Sequence, residues 1–304
     1  MKILTIKGIA LVTLVSLCTI VIFSCQKDNS SDTTSAITEE EATIYSDEST
    51  QAEASFDDVE DIGMIASEEE SAASAPNGRL STTLDVRIPP TFEELRRRIN
   101  NCAIITVTPN DNTYPKTITI DFGDGCVGAD GKFRKGAIVI HLTGPIRRSG
   151  SVMTLTFRNF YHNRAHIEGT KIITNMSENG NIKFTVQVTG GKITFPNGRG
   201  YSYDGLKYVR QIEGGDTRML RDDVYSIEGR SKTEFNNGVT IVKNAETPLI
   251  KKATCHWISN GTLKIKINER ILFLDYGAPD NGSCDNKAML TWNNGNNSRL
   301  ITLH

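Results

Sequence analysis

The chain has 304 residues, with 34 Lys and Arg against 36 Asp and Glu, 38% hydrophobic residues, 25 Gly and 9 Pro. This is the composition of an ordinary globular protein, and it excludes a collagen, a wholly disordered chain and a multi-span membrane protein. The near balance of charge hides a partition, because residues 26–78 hold 15 acids and one base (net −14) while residues 79–304 hold 31 bases and 21 acids (net +10).

Taken in chain order, Met1 to Ser24 places Lys2 and Lys7 before an apolar run from Ile9 to Phe23. The run is too short and too soon followed by polar sequence for a spanning helix, and residues 1–24 read as an export signal. Residues 25–78 follow as an acidic tether. They are rich in Ser, Thr, Ala, Glu and Asp, and so few large apolar residues are expected to leave the segment disordered. Repulsion among its acids would extend it and hold the basic body away from anionic lipid; the sharper alternative is a specific acidic interaction tail.

From about residue 79 the pattern changes. Pro89-Pro90 leads to Thr91 as a helix N-cap, with Glu94 as its capping-box partner and Phe92, Leu95 and Ile99 on one face, which predicts one short helix near 91–101. Beyond it the hydrophobic period becomes two, as in Thr117-Ile118-Thr119-Ile120, Lys183 to Val188 and Thr262 to Ile267. That period predicts antiparallel strands with one wet face. Asn-Gly at 179, 197, 237, 260, 281 and 294, and Asp-Gly at 124, 130 and 204, supply the turns, because both dipeptides tolerate positive φ. The fold class is mainly β, a hairpin meander forming a sandwich or a curved sheet.

Two echoes suggest related halves. Thr119-Ile120-Asp121-Phe122-Gly123, running on to Cys126, is matched by Phe273-Leu274-Asp275-Tyr276-Gly277, running on to Cys284. Asn159-Phe160-Tyr161 with Ile167-Glu168-Gly169 is matched by Asp223-Val224-Tyr225 with Ile227-Glu228-Gly229. The expected units are residues 79–205 and 206–304, sharing one core.

Ile22-Phe23-Ser24-Cys25 resembles the lipobox of bacterial lipoproteins, which implies cleavage before Cys25 and acylation of that cysteine. Gln26-Lys27-Asp28-Asn29-Ser30 is similar to the surface-export signal of Bacteroidota lipoproteins, and Asp32-Thr33-Thr34 resembles the O-glycosylation motif of that phylum. Residues 100–304 resemble a β-rich outer-membrane lipoprotein family of Bacteroidota, through Cys102, Thr117 to Cys126 (TITIDFGDGC), Asp130-Gly131, Gly169-Thr170, Asp222-Asp223 with Tyr225, and Cys284-Asp285-Asn286. The resemblance implies the architecture and an outer-membrane anchor facing the cell exterior, and it carries no activity.

With Cys18 in the leader and Cys25 acylated, four cysteines remain for an oxidising compartment. Of three connectivities, Cys102 with Cys126 and Cys255 with Cys284 are favoured, because the first pair brackets the two arms of one hairpin. Asp121, Asp124 and Asp130 in the glycine-rich run DFGDGCVGADG could hold Ca²⁺, although Asp-Gly turns explain two of them without metal. Tyr201, Tyr203 and Tyr208, near Phe195, could stack on sugar rings or fill a core. His162 and His166 read as solvated turn residues, and His141 and His256 have no partner at a recognisable motif. No GxSxG, P-loop, GxGxxG or HExxH motif is present, and no RNA-binding signature accompanies the basic runs.

The functional expectation is a non-enzymatic surface lipoprotein that binds an extracellular glycan or an envelope partner, with no nucleic-acid partner. The alternatives are a periplasm-facing lipid or lipoprotein carrier built on a curved sheet, and a cell-surface hydrolase with a site assembled in space.

Overall fold

The protein is described from a computed structural model covering residues 38–74, 90–215, 222–255 and 257–303. The export signal, Cys25 and the segment around Asp32 lie outside these residues, as does His256. Residues 37–304 form one compact unit. No helix among the described residues is long and apolar enough to cross a membrane.

Among the described residues the alternating segments form fifteen strands in a single antiparallel sheet, so of the two expected arrangements one continuous sheet is the one adopted. In chain order they are β1 (Ile104–Thr108), β2 (Lys116–Asp121), β3 (Cys126–Val127), β4 (Phe133–Leu142), β5 (Val152–His162), β6 (Ala165–Asn175), β7 (Lys183–Thr194) and β8 (Gly200–Glu213). They continue as β9 (Val224–Phe235), β10 (Thr240–Ala245), β11 (Leu249–Lys252), β12 (Thr262–Ile267), β13 (Arg270–Asp275), β14 (Lys287–Trp292) and β15 (Asn297–Thr302). Nearly every strand pairs with its sequence neighbours; the exceptions are β3, which pairs only β4, and β11, which pairs only β9. The boundary drawn between residues 205 and 206 falls inside β8, and the sheet crosses it unbroken.

The turn chemistry acts as expected at most sites. Asn179-Gly180 and Asn294-Gly295 have positive φ at both residues, as tight hairpin turns require, and so does Asn281-Gly282 in the longer connection between β13 and β14. Asp204-Gly205 is a correction, since it lies within β8, where Asp204 Oδ1 accepts a bond from Gly190 N at 2.9 Å. The two halves share one local device: Asp121 Oδ1 accepts from Gly123 N (2.8 Å), and Asp275 Oδ1 accepts from Gly277 N (2.9 Å). Cys102 is bonded to Cys126 and Cys255 to Cys284, the expected pairs, with Cα separations of 6.1 and 5.5 Å.

Register shifts interrupt every pairing from β4 to β9. At Gly136 (φ 76°) a Cβ would lie 2.0 Å from Asn159 O, and at Gly169 (φ 115°) one would lie 2.7 Å from the Cα of Gly191. These positions admit only glycine, so the backbones close up and a row of bulges creases the sheet.

Among the described residues two helices accompany the sheet: α1 (Glu39–Ser74) and α2 (Glu93–Arg98). The second is the expected short helix, with Phe92, Leu95 and Ile99 buried. Its cap differs from expectation. Phe92 is the N-cap, with φ 53° and no side-chain cap bond, and the free amides of Glu94 and Leu95 donate to Glu69 Oε1 (3.1 Å) and Oε2 (3.2 Å) of α1.

Candidate functional site

The first helix overturns the expectation of a disordered tether over most of its length. Its start is a capping box: Glu41 N donates to Thr38 Oγ1 at 3.2 Å, and Thr38 N donates to Glu41 Oε2 at 2.9 Å. This reciprocal pair satisfies two end donors and fixes the first turn. Along α1, Ala42, Tyr45, Ser49, Ala52, Phe56, Val59, Gly63, Ala66 and Glu70 recur at intervals of three and four and make one inward face. Small residues let the helix sit close to the sheet: a Cβ on Gly63 would come within 2.6 Å of Leu155 Cδ2.

The helix crosses the strands. Glu70 reaches Lys116 in β2, and Glu53 reaches Ser231 in β9 and Lys243 in β10. The rise from residue 53 to 70 is about 26 Å, while the seven strand spacings between β2 and β10 sum to about 34 Å. The long Glu and Lys side chains at the two ends bridge the difference, so α1 spans the run of strands from β2 to β10.

The acids of α1 are neutralised by a ladder of cations on the inner face of five strands: Lys116 (β2), Arg134 (β4), Lys171 (β6), Lys207 (β8) and Lys243 (β10). Lys116 lies 3.3 Å from Glu70 with both side chains fully buried. Lys171 Nζ reaches Glu60 Oε2 at 2.5 Å and donates to Phe56 O at 2.8 Å, and Lys207 holds both oxygens of Asp57 at 3.0 and 3.2 Å. Burial works to raise the Asp57 carboxyl, but Lys207 and Lys171 outweigh it and hold it below the usual range. Charge that was expected to repel and extend the segment therefore docks it.

The densest node is Asp58, which is 0% exposed. Arg134, itself 1% exposed, donates from Nε to Asp58 Oδ2 (2.9 Å) and from Nη2 to Oδ1 (2.7 Å), and it grips Asp130 at 3.1 and 2.6 Å. Lys132 Nζ adds a bond to Asp58 Oδ1 at 2.8 Å. Burial alone would raise the Asp58 carboxyl; the hydrogen bonds and charge of Arg134, with Lys132, hold it at about 2 instead. Beside it His162 hydrogen-bonds Ser55 Oγ through Nδ1 (3.1 Å), and its Nε2 has no hydrogen-bond partner and faces Asp58 at 3.6 Å. Burial lowers the imidazole to about 4 in spite of the Asp58 charge.

The residues singled out from sequence are dispersed by the fold. Asp121 is tied to its own turn, Asp124 is exposed, and Asp130 belongs to the Arg134 cluster. Among the described residues no three His, Cys, Asp or Glu side chains are placed to hold a metal ion. An exposed platform of Tyr201, Tyr203 and Tyr208 is not formed: Tyr201 and Tyr203 are 2% exposed and face α1, whereas Tyr208 is 52% exposed. Alternation within β8 explains the buried pair, since both point inward; Tyr201 OH donates to Glu48 O at 2.9 Å and Tyr203 stacks on Phe56 at 5.3 Å. His162 is also a correction, being buried under α1, while His166 packs on Tyr161 at 4.7 Å.

Where the N-terminal part of α1 meets the β7–β8 and β9–β10 hairpins, a cleft of about 190 Å³ opens. Its walls are Tyr45, Phe195, Tyr201 and Phe235, whose rings contact in a chain with centroid distances of 4.9, 5.1 and 5.9 Å. Its polar rim holds Asn236, Asn237 and an Arg199–Glu48 ion pair at 2.5 Å, and Asn237 Nδ2 donates to Tyr45 OH at 2.6 Å. Phe195 and Tyr201 were visible in the sequence as an aromatic cluster; Tyr45 and Glu48 were not, because they come from the segment read as tether. Compared with protein-family models, curated proteins and solved structures, the chain matches none.

Proposed function

We propose that this is a non-enzymatic binding protein of the bacterial envelope, lipid-anchored through Cys25 at the outer membrane, which displays its β body outward and takes a glycan at the aromatic cleft. The observation that carries the reading is the cleft itself. Aromatic faces stack on the C–H faces of a sugar ring while polar side chains address its hydroxyls; here the half-buried rings of Tyr45 and Phe195 supply the first over the buried Tyr201 and Phe235, and the asparagine amides and charged rim supply the second. About 190 Å³ suits a single sugar residue at the end of a chain. Glu48 is committed to Arg199, so the cleft is near neutral and favours neutral sugars. The carrier alternative needs the inner face of the sheet, which α1 covers.

Two measurements test this. Protease added to intact cells is expected to shave the body off while a periplasmic control survives; protection of the body would remove the outward placement. On a panel of neutral glycans the mature chain is expected to bind, with Tyr45→Ala and Phe195→Ala each weakening affinity on the order of tenfold, equivalent to about 1.4 kcal/mol. Equal binding by wild type and both variants, with thermal unfolding unchanged, would move the site elsewhere; no binding by any chain would remove the glycan.

A further inference from the structure

The groove and its helix have a physical peculiarity that the binding reading does not use. The inward face of the 36-residue α1 is made mostly of Ala, Ser and Gly, with Phe56, Val59 and Ile62 as its large fully buried side chains. The groove itself is the opposite. Under α1 it presents Ile118, Ile140, Leu155, Phe160 and Ile173 between the five inward cations. An empty groove would leave both buried apolar wall and uncompensated charge, and each is costly. The occupant must therefore be a helix with small residues on one face and carboxylates at the spacing of the cation ladder. A lipid with one anionic head would answer one rung of that ladder; an acidic helix answers all of them.

The one helix certain to meet that specification is another α1. The connection from α1 to α2 does not prevent its arrival from a neighbouring molecule. Glu69, near the end of α1, already bonds the start of α2, so residues 75–92 join two nearby points, although their extended reach is about 60 Å. We propose that α1 is an exchangeable occupant and that the groove takes the α1 of a second copy of this chain, giving a helix-swapped dimer. Every ion pair and packing contact of the closed form is reproduced in the swapped form, so the two differ only in connection entropy and concentration. Dilute protein favours the closed monomer, and crowding of copies favours the swap.

The test uses the full mature chain and the buried contact between Ser49 Oγ and Thr233 Oγ1, 3.0 Å apart. One tagged copy carries Ser49→Cys and a second, with a different tag, carries Thr233→Cys; the native disulfides remain. On mixing under mild oxidation a covalent heterodimer is expected to accumulate, at a yield about tenfold above a collision control pairing Ser71→Cys with Thr233→Cys. The double variant Ser49→Cys/Thr233→Cys is expected to cross-link within one chain. A double variant that locks in cis while the mixed copies give no more heterodimer than the control would overturn the proposal, because α1 would then be permanently seated. Failure of the cis lock would overturn it too, by removing the seat on which exchange depends.

Discussion

Replacing Arg134 with methionine is expected to destabilise the protein by about 3–5 kcal/mol, read as a fall in the urea midpoint at neutral pH with little change in the slope. The magnitude follows from what remains. Asp58, with no exposed side-chain surface, would lose two charge-assisted hydrogen bonds and keep Lys132 at 2.8 Å and Arg98 at 3.8 Å as its charged neighbours. A buried carboxylate deprived of a bidentate guanidinium bears its desolvation cost without the compensating charge. Asp58→Asn is expected to cost less, since Arg134 keeps both contacts to Asp130. Removing the pair together, as Asp58→Leu/Arg134→Met, should recover part of the loss, because an apolar pair of similar volume suits a buried site. If Arg134→Met costs under about 1 kcal/mol, the Asp58–Arg134 node does not seat α1.

The sheet was legible in the sequence because its signals are local. Alternation at Thr117–Ile120 and Thr262–Ile267 and the Asn-Gly turns each act over a few residues, and tertiary context had only to respect them. Asp204-Gly205 shows the limit: the dipeptide suits a turn, yet inside β8 the Asp side chain is used to cap Gly190 across the bulge. The helix was illegible for a different reason. Amphipathicity is read from large apolar residues, and the inward face of α1 is built from Ala42, Ser49, Ala52, Gly63 and Ala66 with a buried Glu70. Two signals were nonetheless present. Thr38-Glu39-Glu40-Glu41 is a capping-box sequence, and Lys116, in phase with Ile118 and Ile120, sits on the buried face of its strand. A lysine in phase with core isoleucines asks for a carboxylate from elsewhere, and the acidic segment with net charge −14 was the one large supply. The cleft was only half readable for the same reason, since its floor comes from β8 and the rest of its aromatic wall includes Tyr45 of α1.

Acid is expected to release this helix in two successive steps, and the sign of each follows from the group involved. His162 is held neutral, with its imidazole lowered to about 4 from an ordinary 6.5. Between these values the unfolded chain binds a proton that the folded chain refuses, so stability is full above about pH 6.5 and falls towards pH 4, by at most about 3 kcal/mol. Asp58 titrates at about 2 against 3.8. Its contribution is present above pH 3.8 and is lost as the pH drops to about 2, a further loss of at most about 2 kcal/mol. The groups facing His162 are Ser55 and Asp58 from α1 and Arg134, Lys132 and Asp130 from the sheet side, so the first step loads positive charge beside two cations that already hold these carboxylates. Urea midpoints at pH 7.5, 5 and 3 should therefore decline in both intervals for the wild type. His162→Gln keeps a hydrogen-bonding side chain and removes the titration, so its midpoint should hold between pH 7.5 and 5 and decline only below 4. A variant that loses stability between pH 7.5 and 5 as steeply as the wild type would show that the first step belongs to another group, and that the buried imidazole does not set the acid limit of the helix–groove contact.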